Sequence, residues 1–230
     1  MLARTKPAQK HRMQPVQWRA LILPVVALLV ACRHGGRTRP TAAPLPVEHS
    51  AEAESNRLPT APRPTYPAPL ERSVTETDLD ALWARQIMVP VEGMPRRMLK
   101  DDFAAKRDSG RIHGAIDILA ARSTPVLAAD DCVIGRMFSG PIGGIVIYAS
   151  SLDGKFVYYY AHLQQYREGL TVGERVAKGS IIGYVGTTGN AAPDAPHLHF
   201  QVMKRGLGRV WWDGPPLNPI FFFAADGSRR

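Results

Sequence analysis

The chain has 230 residues, two cysteines and a formal net charge of +9, carried unevenly: residues 1–75 hold 11 Lys/Arg against 4 Asp/Glu, and residues 76–230 hold 18 against 16. The excess of positive charge therefore belongs to the N-terminal third, which argues against a nucleic-acid-binding domain, since that would need a basic face on the folded part. Two cysteines also exclude a disulfide framework of the small secreted kind.

Residues 1–19 form a basic leader with Arg4, Lys6, Lys10, Arg12 and Arg19, followed by an apolar run from Ala20 to Ala31 that ends at Cys32. The run is about a dozen residues, short of the roughly 20 that a spanning helix needs, and has the length of a signal-peptide core. Leu29-Val30-Ala31-Cys32 resembles the bacterial lipobox. That resemblance implies cleavage before Cys32, lipidation of its thiol, and a membrane anchor on the periplasmic side of the cell envelope. Arg33 in place of an aspartate implies, by the same resemblance, the outer membrane.

Residues 33–75 are rich in Pro, Ala, Arg and Thr, with eight prolines between Pro40 and Pro69 and no apolar period. Such a segment buries too little surface to offset its ordering entropy, and a disordered linker is expected. In a polyproline conformation at roughly 3.1 Å per residue it would reach on the order of 100 Å. Thr75 with Asp78 approximates a capping box, and Leu79, Leu82, Trp83 and Ile87 follow near-helical spacing. The spacing predicts a short helix over 76–89, which packs on the domain or covers its cleft.

From residue 90 to about 225 the pattern becomes one of short apolar runs: Ala115–Leu119, Val126–Ala128, Cys132–Phe138, Gly144–Ala149, Phe156–Tyr160, Ser180–Val185 and Leu198–Met203. Gly, Asp and Pro punctuate them, and the expected fold class is an all-β domain of antiparallel strands. Cys132 reads as a small buried hydrophobe. Trp211-Trp212 reads as packing or as a substrate platform.

Four histidines fall in this domain: His113, His162, His197 and His199. In an extended strand residues two or four apart share a face, so His113 and Asp117 would converge, as would His197 and His199, with Leu198 and Phe200 turned to the core. Two imidazoles, one carboxylate and an open position suit catalytic zinc. Neither pattern is specific alone, and a buried histidine satisfied by a carbonyl is the plain competitor.

Together, His113-Gly-Ala-Ile-Asp117, Tyr160-Ala-His162-Leu163, Gly186-Thr-Thr-Gly189 and Pro196-His-Leu-His-Phe200 resemble, in order, the markers of the lysostaphin/LytM-type zinc metalloendopeptidases. The resemblance implies a duplicated-hybrid-motif-like β domain that hydrolyses peptide cross-links of peptidoglycan. It implies Zn2+ held by His113, Asp117 and His199, with His162 and His197 beside the open position. His197 would take a proton from water and His162 would donate to the oxyanion, though the residues leave open which does which. Tyr160 shares an expected strand face with His162 and reads either as lining the cleft or as packing. Some relatives have lost their ligands and act only as activators of cell-wall amidases, whereas this sequence keeps all five polar residues; a catalytically unused lipoprotein that binds peptidoglycan or activates cell-wall amidases is the alternative, and a regulatory protein partner that opens the cleft is also compatible with the sequence.

Overall fold

A computed structural model describes residues 73–107, 110–208 and 210–226. The leader, Cys32 and residues 33–72 of the linker lie outside the described residues.

The described chain opens with α1 (Glu76–Arg85), then adds nine strands: β1 (Ile116–Leu119), β2 (Pro125–Leu127), β3 (Cys132–Gly140), β4 (Gly144–Ser151), β5 (Phe156–Tyr166), β6 (Arg175–Val176), β7 (Ile181–Val185), β8 (His197–Lys204) and β9 (Pro216–Leu217). They form one sheet in the order β1-β8-β5-β4-β3-β6, with β2 on β7, β7 on β5 and β9 on β8. Every pairing is antiparallel. Seven of these strands lie on the seven apolar runs. The two-residue β6 and β9 are too short to carry a period of their own.

Alternation decides which side of the sheet becomes the core. Ile116 and Ile118 of β1, Phe156, Tyr158 and Tyr160 of β5, and Leu198, Phe200 and Val202 of β8 are fully buried and join one apolar cluster. Burying a side chain of this size contributes roughly 1.5–3 kcal/mol, so this face dominates the stability. The residues between them, including Asp117, Tyr159, His197 and His199, face the other side.

α1 belongs to the same cluster. Thr75 and Asp78 close a reciprocal capping box at its N-terminus, and Leu79, Leu82, Trp83 and the following Ile87 are buried among the core residues of the sheet. Arg85 adds a polar anchor, 2.8 Å from buried Asp130, which also accepts from the Tyr158 hydroxyl at 2.7 Å. The helix stops at Arg85 rather than running to residue 89, because Gln86 adopts the left-handed conformation (φ 46°). Beyond it Ile87 bridges to Phe223 and the Met88 N–H donates to the Ala129 carbonyl. A helix held on the core side cannot cover a cleft on the opposite side, which corrects the expectation of a cover. It is a buttress of the domain, not a separate element.

Cys132 is buried, and burial pushes its thiol up to about 12, with Asp130 and Asp131 adding to the effect. A thiol held that far from ionisation is a packing group.

If α1 is a buttress, Leu82→Ala should destabilise the fold by about 3 kcal/mol. Denaturant melts would show this loss, while zinc affinity measured on the folded protein stays at the wild-type value.

Candidate metal centre and active site

β1 and β8 pair so that Asp117 lies opposite His199 and Leu119 opposite His197. Directly opposed residues project from the same face, so this register alone brings a carboxylate and two imidazoles together. Asp117 Oδ1 stands 3.0 Å from His199 Nδ1 and 3.9 Å from His197 Nε2.

His113 arrives differently. It precedes β1 and is not carried in by strand alternation. Gly114 takes a positive φ of 66°, a conformation that glycine adopts without steric cost, and the backbone turns there. The His113 N–H donates to the Ala105 carbonyl and the Gly114 N–H to the Phe103 carbonyl. The ring is left with Nε2 3.1 Å from both Asp117 Oδ1 and His199 Nδ1. On its other side Nδ1 lies 3.2 Å from the Asp102 carbonyl and 3.5 Å from Asp102 Oδ1. Asp102 thereby fixes which nitrogen of His113 faces the cluster, as outer-shell partners of metal-bound histidines do.

The donor atoms of His113, Asp117 and His199 lie within 4.8 Å of one another. A tetrahedral zinc site with bonds of about 2.0–2.2 Å has donor-to-donor edges of roughly 3.3–3.6 Å, close to the 3.0–3.1 Å found here. Two imidazoles and one carboxylate suit Zn2+ in a three-ligand site that keeps a position open. The residues present therefore fit the ion.

Electrostatics favour a charged carboxylate. Burial acts to raise the Asp117 carboxyl, but hydrogen bonds from His113, His199 and Arg107 outweigh it and hold the group well below the usual carboxylate range. Burial also lowers His199, against the opposing pull of Asp117, so the imidazole is kept in the neutral form that binds metal. Arg107 sets its guanidinium against Asp117 Oδ2 and His113 Nε2, and supplies positive charge at the mouth of the cluster.

His162 reaches the site through an irregularity in β5. Ile147 pairs with Tyr160 and Ile145 with Leu163, so β5 carries one residue more than its partner over this stretch, and His162 takes a φ of 59°. A bulge of this kind reverses the alternation beyond it. At the same point β5 exchanges neighbours: Ala161 pairs with His199 of β8, and Leu163 pairs with Val185 of β7. The His162 ring comes to 4.9 Å from that of His197 and 5.7 Å from that of His199.

The bulge also corrects the expectation for Tyr160. That residue does not line the cleft: it is fully buried, its ring packs tilted against Phe200 at 5.2 Å, and its hydroxyl oxygen accepts from the Ala129 N–H at 3.0 Å. Tyr159 takes its place, with its ring edge-on to His199 at 5.9 Å.

Both of the remaining histidines are held by carbonyls. His162 Nδ1 lies 2.8 Å from the Thr188 carbonyl oxygen, and His197 Nδ1 lies 2.8 Å from that of Ala195. Each Nδ1 must donate there, which leaves each Nε2 free for a proton or a substrate. Thr188 is itself fixed, since its hydroxyl donates to the Leu163 carbonyl and accepts from the Ile145 N–H. Its neighbour Gly189 (φ 74°) presses so close that an added Cβ would sit 2.2 Å from the Ile142 carbonyl oxygen. The Gly-Thr-Thr-Gly loop is thus a clamp on the His162 ring. Asp102, Arg107 and Tyr159 are site residues that sequence patterns missed, and Thr188 lay within the Gly186-Thr-Thr-Gly189 marker without an assigned role.

Residues 111–219 match the model of peptidase family M23. The chain is 32% identical over 111 residues to the L-Ala--D-Glu endopeptidase of Bacillus subtilis, covering 46% of this chain and 33% of that protein. It is 32% identical over 97 residues to the peptidoglycan DD-endopeptidase ShyC of Vibrio cholerae, covering 42% of this chain and 21% of that protein. The chain therefore spans a third or less of the length of these relatives. Among solved structures it is similar to the catalytic domain of the antimicrobial peptidase lysostaphin from Staphylococcus simulans, with 32% identity, 49% of this chain and 79% of that chain covered, and a TM-score of 0.43.

Two outcomes follow from this geometry. Asp102→Ala, which removes the carboxylate and keeps the carbonyl, should weaken zinc binding by about 10-fold, the low end for an outer-shell partner, read by competition with a chromophoric chelator. Burial, opposed by the Thr188 carbonyl, lowers His162 to about 4, against about 6.5 in an unfolded chain. Between those values the unfolded state binds a proton that the folded state refuses, so this contribution to stability falls as pH drops from about 6.5 to about 4 and is level above. Denaturation of wild type and His162→Gln across that window should show the steeper acid loss in wild type.

Proposed function

Residues 111–219 belong to peptidase family M23, and on that premise we propose that the chain is a zinc-dependent endopeptidase that hydrolyses peptide cross-links of bacterial peptidoglycan. The observation that carries the proposal is the convergence of five side chains on one sheet face: three donors suited to the ion, and two histidines with Nδ1 spent on backbone carbonyls and Nε2 unspent.

His113, Asp117 and His199 would hold the ion. Zinc, when bound, supplies Lewis acidity, which acidifies water and polarises a carbonyl oxygen. The remaining work falls to the chain. His197 Nε2, the nearer of the two to Asp117, accepts the proton of the attacking water and passes it to the amine that leaves, as general base and then general acid. His162 Nε2 faces the same space. Burial keeps that ring neutral at rest, so it takes a proton from solvent only as negative charge grows on the substrate oxygen, donates a hydrogen bond to that charge, and returns the proton to solvent when the oxyanion collapses. Tyr159 walls the cleft beside His199.

The proposal extends to the address. Cys32, within Leu29-Val30-Ala31-Cys32, would carry the lipid anchor, and the Pro-rich segment after it would let the domain sample the peptidoglycan layer from the periplasmic side, with the outer membrane as the anchoring surface.

Purified protein incubated with peptidoglycan sacculi should release un-cross-linked muropeptides. Chelator should stop the reaction, and added zinc should restore it. His197→Ala should keep one zinc per chain and lose at least about 100-fold in rate, in the range of a lost general base. Wild-type protein that holds zinc yet leaves sacculi intact would instead point to a non-catalytic peptidoglycan-binding or amidase-activating role.

A further inference from the structure

The outer face of the sheet continues past the three-donor cluster. Gln201 of β8 pairs with Tyr159 of β5, Tyr159 with Tyr148 of β4, and Tyr148 with Arg136 of β3, so four directly opposed residues form a row across four strands. The rings make it continuous: Tyr159 lies 5.9 Å from His199 and 4.5 Å from Tyr148. Tyr148 in turn lies 6.2 Å from Phe138, with planes 5° apart, and 5.9 Å from Trp212.

At the far end the Arg136 guanidinium sits between two aromatic faces, its central carbon 4.2 Å from the Phe138 ring centre and 4.4 Å from that of Trp212. Among the described residues no carboxylate pairs with it. The segment between β8 and β9 that delivers Trp212 is seated, not merely resting. Trp211 fills the space above Gly135, where a Cβ would stand 2.4 Å from the indole, and the Arg205 guanidinium carbon lies 5.2 Å from its ring centre.

We propose that this row is a second subsite of the cleft, in which Arg136 takes a carboxylate of the substrate peptide while Tyr159 and Tyr148 support the peptide between that carboxylate and the scissile bond. The inference rests on the peptide-hydrolase reading above. A guanidinium packed over two rings keeps its N–H edge for a partner, and that edge is a rigid fork matched to a carboxylate. The rings hold the fork in place before the ligand arrives, which lowers the ordering cost of binding. The spacing also fits. Three inter-strand steps of about 4.8 Å separate the strand of His199 from that of Arg136, roughly 14 Å, which an extended peptide covers in about four residues at about 3.3 Å each. The occupant is therefore an acidic peptide with its free carboxylate about four residues from the bond cleaved.

Tryptophan fluorescence of the zinc-loaded protein in a His197→Ala background, titrated with a terminally blocked peptide L-Ala–D-Glu–L-Lys–D-Ala and with its D-Gln counterpart, tests this without turnover. The D-Glu peptide should bind about fivefold more tightly, as expected for a half-exposed bidentate ion pair. That preference should vanish in Arg136→Gln and shrink in Arg136→Lys, which keeps the charge but not the fork. Equal affinity for the two peptides with Arg136 intact overturns the subsite, as does an undiminished preference in either folded variant. Because binding is read apart from cleavage, a preference for D-Glu in this background beside a wild type that cuts nothing keeps the subsite and loses the hydrolase reading.

Discussion

The site depends on one register. β1 and β8 could slide past each other by a single residue with little change in backbone hydrogen bonding, but the slip would turn Asp117 into the apolar cluster and place an isoleucine beside His199. The core forbids it. Ile116 and Ile118 on one strand, and Leu198 and Phe200 on the other, are fully buried only when Asp117 stands opposite His199. Hydrophobic burial on one face of the sheet thus fixes polar geometry on the other to within the width of a hydrogen bond.

That geometry concentrates charge that would otherwise be costly. A half-buried carboxylate surrounded by imidazoles is stable because every oxygen has a partner: His113 and His199 on one, Arg107 on the other. Burial keeps His162 and His199 neutral, and carbonyl contacts set which nitrogen His113, His162 and His197 present. A bound cation would complete this balance rather than impose it. The clamp from Thr188 to His162, with Gly189 packed behind it, shows backbone spent on orienting one ring.

Much of this was legible in the sequence, and the failures share a cause. The seven apolar runs located seven strands, and the faces of His197, His199 and Asp117 followed from strict alternation in regular β1 and β8. Alternation misled where the backbone is irregular. The turn at Gly114 carries His113 in by a route that strand periodicity does not describe, and the bulge at His162 reverses the faces of β5, so that Tyr159 rather than Tyr160 borders the metal centre. Nothing local marked that bulge, since it is fixed by the exchange of neighbours from β8 to β7. Asp102 and Arg107 were invisible for a different reason: they precede the strands and meet His113 through an irregular local loop, closed by Phe103 and Ala105, that no strand period describes. The helix ended early because Ile87 and Met88 are claimed by the C-terminal segment and by Ala129, contacts that no helical period can foresee.

The position of α1 has a mechanical meaning. Ser73, where the described chain begins, is held by Lys204 of β8 through its carbonyl at 2.8 Å, and the helix that follows is sunk among core residues on the side of the sheet away from the histidines. A pull on the segment before residue 73 would be resisted by the capping box, the Arg85–Asp130 pair and the buried leucines of α1. A pull from that end is met on the core side, through α1 and Lys204, while His197 and His199 project from the opposite face of the same strand.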